Sequence, residues 1–245
     1  MSFDKGKLAG LLLFFLINNY FVNKITCYNL ILFLINDIIV SKEGIMQHYF
    51  IEKQHSPNDY FEFEDTIADM KFKFRSCDSI FSKDEIDEGT RTLLDTIFTK
   101  VDLKGNGLDL GCGYGVIGMS IIKKLGLNCD MLDVNGTAVE LARHNLMLNG
   151  VRSGSKVFKS NGFEGVEGKY DFIVTNPPIK TGKALLFELM QGCFDHLNEG
   201  GTLTLVIRKS HGEESLKKKL TEIFGNCEIL KRNKGFYILH STRTV

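Results

Sequence analysis

Leu108-Asp109-Leu110-Gly111-Cys112-Gly113-Tyr114-Gly115 decides how the rest of this chain is read. An apolar run, Gly107–Leu110, leads in and a helically spaced run, Val116–Leu125, leads out, so the stretch is a strand-to-helix turn. Glycines permit the tight turn, let a ligand lie against backbone, and leave the helix N-terminus able to present N–H groups. Gly113, Gly115 and Gly118 also satisfy the dinucleotide spacing G-x-G-x-x-G. The loop alone therefore fits more than one adenosine ligand, and also a turn that merely needs glycine.

The same strand–helix alternation continues outward from the loop. Downstream, Cys129–Asp133 reads as strand and Thr137–Leu148 as helix, followed by strands at Lys156–Ser160 and Tyr170–Thr175. A helix at Ala184–His196, a strand at Thr202–Ile207, a helix at Glu213–Phe224 and strands at Cys227–Lys231 and Phe236–His240 complete the chain. Upstream, Asp84 or Asp87 can cap a helix running to about Thr99, and Tyr60–Ala68 with Met70–Phe74 alternates in the manner of a half-buried antiparallel ribbon. Helical crossovers between strands imply a parallel, doubly wound α/β sheet with its binding crevice beyond the carboxyl ends of the strands. The last two strands are joined only by Arg232–Gly235, too little for a crossover, so they are expected to be antiparallel neighbours.

On that scaffold Asp133 ends a strand, where its carboxylate can accept both hydrogens of a ribose diol. Asp109 stands two residues before the first glycine, where a negative charge suits a sulfonium ligand and is poorly placed beside a pyrophosphate. Asn161, ending the next strand, is then expected at the adenine with Phe163 beside it. The other chemically informative exit is Asn176-Pro177-Pro178-Ile179, after Tyr170–Thr175. Two prolines fix the backbone and remove donors. An exocyclic amine is a poor nucleophile because its lone pair is delocalised. If Asn176 Oδ1 and the Pro177 carbonyl both accept from that NH2, the nitrogen is aligned without a strong base. A rigid turn with no chemistry is the plainer reading of the same four residues.

Together these segments resemble a class I S-adenosylmethionine-dependent methyltransferase of the small-subunit ribosomal RNA guanine-N2 type. Asp78-Ser79-Ile80-Phe81-Ser82-Lys83 and Asp87-Glu88-Gly89-Thr90 are similar to that family's loop and D-x-G-[ST] step, Asp109–Gly115 to its cofactor loop, and Asn176–Ile179 to its signature. The resemblance implies a Rossmann-like, seven-stranded, mostly parallel sheet closed by an antiparallel hairpin, with helices on both faces. It implies S-adenosyl-L-methionine held by Asp109, Gly111, Gly113, Gly115, Asp133, Asn161 and Phe163, catalysis by Asn176, Pro177 and Pro178, and substrate contacts from Phe81, Ser82, Ile179 and Lys180. The partner implied is ribosomal RNA or the small ribosomal subunit. Two departures stand out: Ile179 occupies the place of a base-stacking aromatic residue, and the sequence ahead of the glycine loop is too short for the family's second methyltransferase-like domain. Adenine-N6 or protein glutamine-N5 transfer, or a non-catalytic cofactor-binding RNA module, are the alternatives.

Composition limits the partners. The 245 residues carry 30 basic and 30 acidic side chains, which argues against binding a polyanion by bulk charge. The balance is uneven along the chain, however. Residues 46–104 hold eight basic and thirteen acidic groups and residues 201–245 nine and four, so an acidic entry is followed by a basic exit. Arg208 and Lys209, after the fifth strand of the alternation, are candidates for phosphate contacts, with a solvated helix face the plainer reading of the lysines further on. Six cysteines, none within four residues of another, give neither a zinc-type pair nor a redox motif. They indicate no metal and a reducing, cytoplasmic setting.

Residues 1–45 form a separate segment, expected to end where a methyltransferase domain of residues 46–245 begins. Leu8–Val40 is a broken apolar tract interrupted by Asn18, Asn19, Asn23 and Lys24, short of the roughly 20 uninterrupted apolar residues that span a membrane. Lys42-Glu43-Gly44 requires a purine-rich codon run just ahead of Met46, as a bacterial ribosome-binding site would supply. A miscalled start at Met1, a membrane appendage, or a packed extension are the three readings of this segment.

Overall fold

A computed structural model describes residues 59–80, 85–152, 154–178 and 182–244. The chain divides between Tyr49 and Phe50 into two units, and every described residue belongs to the second. The expected extension 1–45 and the boundary at Met46 lie outside the described residues. Among the described residues no helix is long and apolar enough to cross a membrane.

Strands β1 (Tyr60–Ile67) and β2 (Met70–Cys77) pair antiparallel from Tyr60↔Cys77 to Ile67↔Met70. Ala68 and Asp69 link them at φ 46° and 66°. Two left-handed residues in succession match the twist of a two-residue hairpin, though neither is the glycine that adopts this conformation without strain. The inward side chains of the ribbon are aromatic: Phe74 lies 5.3 Å from Phe63 and 5.6 Å from Phe72, ring to ring.

Helix α1 (Glu88–Lys100) follows, capped by Asp87, whose Oδ1 accepts from Gly89 N at 2.9 Å and Thr90 N at 3.1 Å. Then come β3 (Asn106–Leu110), α2 (Val116–Leu125), β4 (Asn128–Asp133), α3 (Gly136–Leu148), β5 (Val157–Lys159) and β6 (Tyr170–Thr175). Helix α4 (Lys183–Asp195), β7 (Leu197–Arg208), α5 (Glu213–Phe224), β8 (Glu228–Asn233) and β9 (Phe236–Thr242) end the chain. The sheet order is β5-β4-β3-β6-β7-β9-β8. Strands β5 to β7 are mutually parallel in that order, and β9 runs antiparallel to both β7 and β8, as the short Arg232–Gly235 link required.

Alternation along the strands gives the sheet two buried faces. Leu108, Leu110, Ile173, Leu203, Leu205 and Ile207 point into one apolar cluster with Met190 of α4 and Leu216, Leu220 and Phe224 of α5. Phe172, Val174 and Val206 point into the other, with Leu93, Leu94 and Ile97 of α1, Met119 of α2, Leu141 of α3 and the ribbon's Phe72 and Phe74. Each such side chain, fully buried, contributes roughly 1.5–3 kcal/mol of transfer free energy. The β/α order and both hairpins therefore follow the sequence reading.

The differences are at strand ends. β7 begins at Leu197 rather than Thr202, because Tyr170↔Leu197 pairs before an irregularity that resets the register at Phe172↔Thr202. β5 is three residues long because the Ser160 hydroxyl turns to donate to backbone carbonyls of the following turn, Gly162 O at 2.9 Å and Glu164 O at 2.8 Å.

The consequence for function is in the strand order. From β3 the chain goes to β4 and β5 on one side, and from β6 to β7 on the other. β3 and β6 are neighbours, so the order reverses between their carboxyl ends, where a doubly wound sheet opens its crevice.

Candidate functional site

Two strand exits flank that crevice: Gly111–Gly115 after β3, and Asn176–Pro178 after β6. The pairs Gly107↔Phe172 and Asp109↔Val174 set their register, and Thr175 Oγ1 ties them by donating to Leu110 O at 2.7 Å.

After β3, Gly111 and Gly113 adopt φ 73° and 54°, and a Cβ built on either meets nothing within 4 Å. The backbone turns left-handed there and leaves open space on the side a ligand would occupy. Four N–H groups of the loop are already engaged. Gly111 N and Cys112 N both donate to Leu132 O at 2.9 Å, Gly113 N to Asp133 Oδ2 at 2.9 Å, and Gly115 N to Cys112 O at 2.9 Å. At the head of α2, Gly118 N donates to Asp109 Oδ2 at 2.8 Å. A pyrophosphate cradle needs such donors free and carboxylates distant. Here the amides of Gly111, Cys112, Gly113 and Gly115 are satisfied internally, and the carboxylates of Asp109 and Asp133 lie beside the loop.

Asp109 is fully buried, and its Oδ1 has no hydrogen-bond partner. Burial pushes its carboxyl up to about 7, the Gly118 amide opposes the rise, and neighbouring Asp133 adds to it. β3 alternation points Asp109 toward the helix α2 side, where the sheet and α2 seal it. Asp133 is half-buried. Burial raises its carboxyl too, against the amides of Asn135 and Gly113 that hydrogen-bond it. With the Val134 amide also bonding it, the carboxylate still has acceptor capacity to spare. Burial likewise keeps the Cys112 and Cys129 thiols protonated.

The loop is held from behind by residues that no motif marked. Tyr114, 4% exposed, wedges its ring edge-on against Phe74 (5.5 Å) and Phe63 (6.1 Å) of the ribbon. Buried Asn145 of α3 donates to Tyr114 O at 2.9 Å and Arg75 O at 3.0 Å, and accepts from Arg75 N at 2.7 Å. One turn on, Asn149 repeats the exchange with Lys73 N and O at 2.9 and 2.7 Å. The i, i+4 spacing of the asparagines matches the i, i+2 spacing of backbone groups on β2. That pair of amides was the available sequence signal.

After β6, Asn176 is half-buried and Pro177 buried. Asn176 Nδ2 lies 3.0 Å from Thr90 Oγ1 and 3.4 Å from Asp87 Oδ2, at the head of α1. That turn is packed against Phe236, and the Arg208 guanidinium lies over the Phe236 ring at 4.7 Å. Arg208 and Lys209 are exposed, at the same carboxyl end of the sheet as Asn176. Asn161 is exposed in the turn after β5. Phe163, by contrast, stacks on His196 (4.4 Å between centroids, 15° between planes), so its ring packs on α4. Phe81, Ser82, Ile179 and Lys180 lie outside the described residues.

Comparison with known proteins adds a second line of observation. Residues 71–240 match the family described as "Methyltransferase small domain". The chain is 34% identical over 200 residues to the uncharacterized protein YbxB of Bacillus subtilis (strain 168), covering 80% of this chain and 98% of that protein. It is 39% identical over 179 residues to the ribosomal RNA small subunit methyltransferase C of Haemophilus influenzae (strain 86-028NP), covering 71% of this chain and 51% of that one. Among solved structures, the Thermus thermophilus 16S rRNA N2 G1207 methyltransferase, in complex with AdoMet and guanosine, superposes with a TM-score of 0.69. That match covers 78% of this chain and 52% of the other at 22% identity, a likeness of fold. The chain thus spans nearly all of YbxB and about half the length of the named ribosomal RNA methyltransferases.

Proposed function

The chain belongs to the methyltransferase small domain family, SAM-dependent methyltransferases of Rossmann-like fold, and from that premise we propose that it methylates an exocyclic amino nitrogen, guanine N2 of small-subunit ribosomal RNA. The observation that carries the reading is the pairing of two acceptor-rich exits across one switch point, Asp109 and Asp133 beside β3 and Asn176-Pro177-Pro178 beside β6.

The residues present fit S-adenosylmethionine. Gly111 and Gly113 leave room against the backbone, and Asp133 has lone pairs for a ribose diol. The unpartnered oxygen of Asp109 supplies negative potential behind the loop. When bound, that cofactor supplies an electrophilic methyl group on a sulfonium. This chain's part is to hold the acceptor. Asn176 Oδ1 and the Pro177 carbonyl accept the two hydrogens of the amine, which orients its lone pair. Methyl transfer would break the sulfonium S–C bond and leave the cofactor as a neutral thioether, and the proton of the alkylated, cationic nitrogen then leaves to water without a general base. Arg208 and Lys209 contact RNA phosphates, so affinity falls with salt, and removing each cation lowers the slope of log K against log salt by about one. The names of the Haemophilus and Thermus relatives support ribosomal RNA as substrate.

Incubation with methyl-labelled S-adenosylmethionine and either naked RNA or assembled small subunits, followed by mass mapping of the nucleosides, tests the reading. N2-methylguanosine is the expected product. Label on a ring carbon or a ribose oxygen, or no transfer to either RNA, would contradict it.

A further inference from the structure

We propose that Asp87 and Thr90 are positioning residues that set the polarity of Asn176, turning its NH2 inward so that it offers substrate an oxygen and no hydrogen. An asparagine amide is nearly symmetric in shape and opposite at its two ends, one an acceptor and the other a double donor. Which end faces outward is decided by what the inner end meets. Asn176 Nδ2 meets Thr90 Oγ1 at 3.0 Å and Asp87 Oδ2 at 3.4 Å. A hydroxyl accepts or donates with equal ease, so Thr90 anchors the amide without choosing its sense. A carboxylate only accepts. Turning the amide over would bring its oxygen against Asp87 Oδ2, two acceptors with no hydrogen between them, so the longer contact determines the orientation.

The carboxylate that sets this sense is itself fixed. Its Oδ1 caps α1 through Gly89 N and Thr90 N, which leaves Oδ2 for Asn176. The first turn has no slack: a Cβ on Gly89 would stand 2.8 Å from the Phe236 ring and 2.9 Å from Asp87 Oδ1. Thr90 is 6% exposed. Asp87 thus does two jobs with two oxygens, one holding the helix and one holding the asparagine.

The substrate class follows from the neighbours. Pro177 and Pro178 have no N–H. With the Asn176 NH2 turned inward, the Asn176 side chain and Pro177 offer the incoming group oxygen and no N–H. A carbonyl or carboxylate is repelled there, and an amine or primary amide is accepted. This deepens the amino-nitrogen reading and, for its activity readouts, rests on it.

Asp87→Asn is the sharpest test, because asparagine caps helices as well as aspartate does and the change conserves shape. Its new NH2 opposes the inward NH2 of Asn176. Turnover is expected to fall at least about tenfold with the KM for S-adenosylmethionine and the melting temperature unchanged. The double variant Asp87→Asn/Asn176→Asp restores a donor facing an acceptor in the reverse sense, and recovers rate relative to Asn176→Asp alone. Thr90→Ser retains activity, whereas isosteric Thr90→Val loses it through kcat. A fully active Asp87→Asn variant, or a double variant no better than Asn176→Asp, overturns the proposal. A readout independent of turnover keeps it separable from the functional reading. In 15N-labelled protein the Asn176 side-chain NH2 should be protected from hydrogen exchange, and should lose protection in Asp87→Asn. A protected, Asp87-dependent NH2 in a protein that transfers no methyl to nitrogen would defeat the functional reading alone. An exchange-labile NH2 in the parent would defeat this one.

Discussion

The two strand exits at the centre of the sheet reach the same chemical character by opposite means. After β3 the backbone is glycine-rich and its amide hydrogens are satisfied internally, by Leu132 O, Cys112 O and the carboxylate of Asp133. After β6 the hydrogens are absent because the backbone is proline, and the one amide side chain turns its NH2 toward α1. Both exits are therefore poor in free backbone donors. The difference is in what can be varied: glycines leave volume for a ligand to lie against backbone, while prolines leave a rigid rim that orients a small group. In the function proposed above, the first would hold the cationic nucleoside and the second would align a nitrogen.

The β3 side depends on a buried carboxyl, and altering it has a large effect on the cofactor. The Asp109 carboxyl is raised from 3.8 to about 7, which places on the order of 4 kcal/mol on its ionisation in the ligand-free protein. Because its folded value lies above its unfolded one, the folded chain holds more protons between about pH 4 and 7. Asp109 therefore costs stability as pH rises through that window, and the loss levels off above 7. Asp109→Asn should flatten this dependence in thermal melts between pH 5 and 8. It should also weaken S-adenosylmethionine binding, about 10- to 100-fold for a lost charge-assisted interaction. In the parent, binding a cation favours the ionised form, so affinity should strengthen as pH rises toward 7, with proton release visible as a buffer-dependent heat.

The support of the two exits differs as well. Asn145→Ala removes three hydrogen bonds and strands the backbone groups of Arg75 and Tyr114, at a cost of about 3 kcal/mol in denaturant unfolding. Asn149→Ala, nearer solvent, should cost less than about 1 kcal/mol. Equal losses from the two would mean that the ribbon, not the glycine loop, is what the amides hold.

Why some of this was legible in the sequence and some was not follows from range. The glycine loop, the strands around it and the Asp87 cap are local patterns of apolar spacing and turn chemistry, and they stand where the pattern put them. The start of β7 is hidden because Asn198-Glu199-Gly200-Gly201 has the composition of a turn, yet a bulged strand accommodates it. The place of Asp109 before the first glycine is a local pattern, but its burial is set only by the packing of α2 over it. The partners of Asn176 lie 86 and 89 residues away and share no periodicity with it. The asparagines of α3 carried a pattern, but its meaning depended on a strand some 70 residues earlier.

The smallest effect tests the ribbon that backs the loop. Replacing Ala68-Asp69 with Asn-Gly relieves two left-handed residues and should stabilise the protein by about 0.5–1 kcal/mol without altering cofactor affinity. A change in affinity would mean that hairpin strain reaches Tyr114.

The division of labour between the exits is tested most directly by Asn176→Ala, with S-adenosylhomocysteine affinity by calorimetry and methyl transfer rate measured on the same preparation. Cofactor affinity within about twofold of the parent, with turnover lost by about 100-fold or more, is the predicted result. Undiminished turnover, or cofactor binding lost in step with it, would contradict the account.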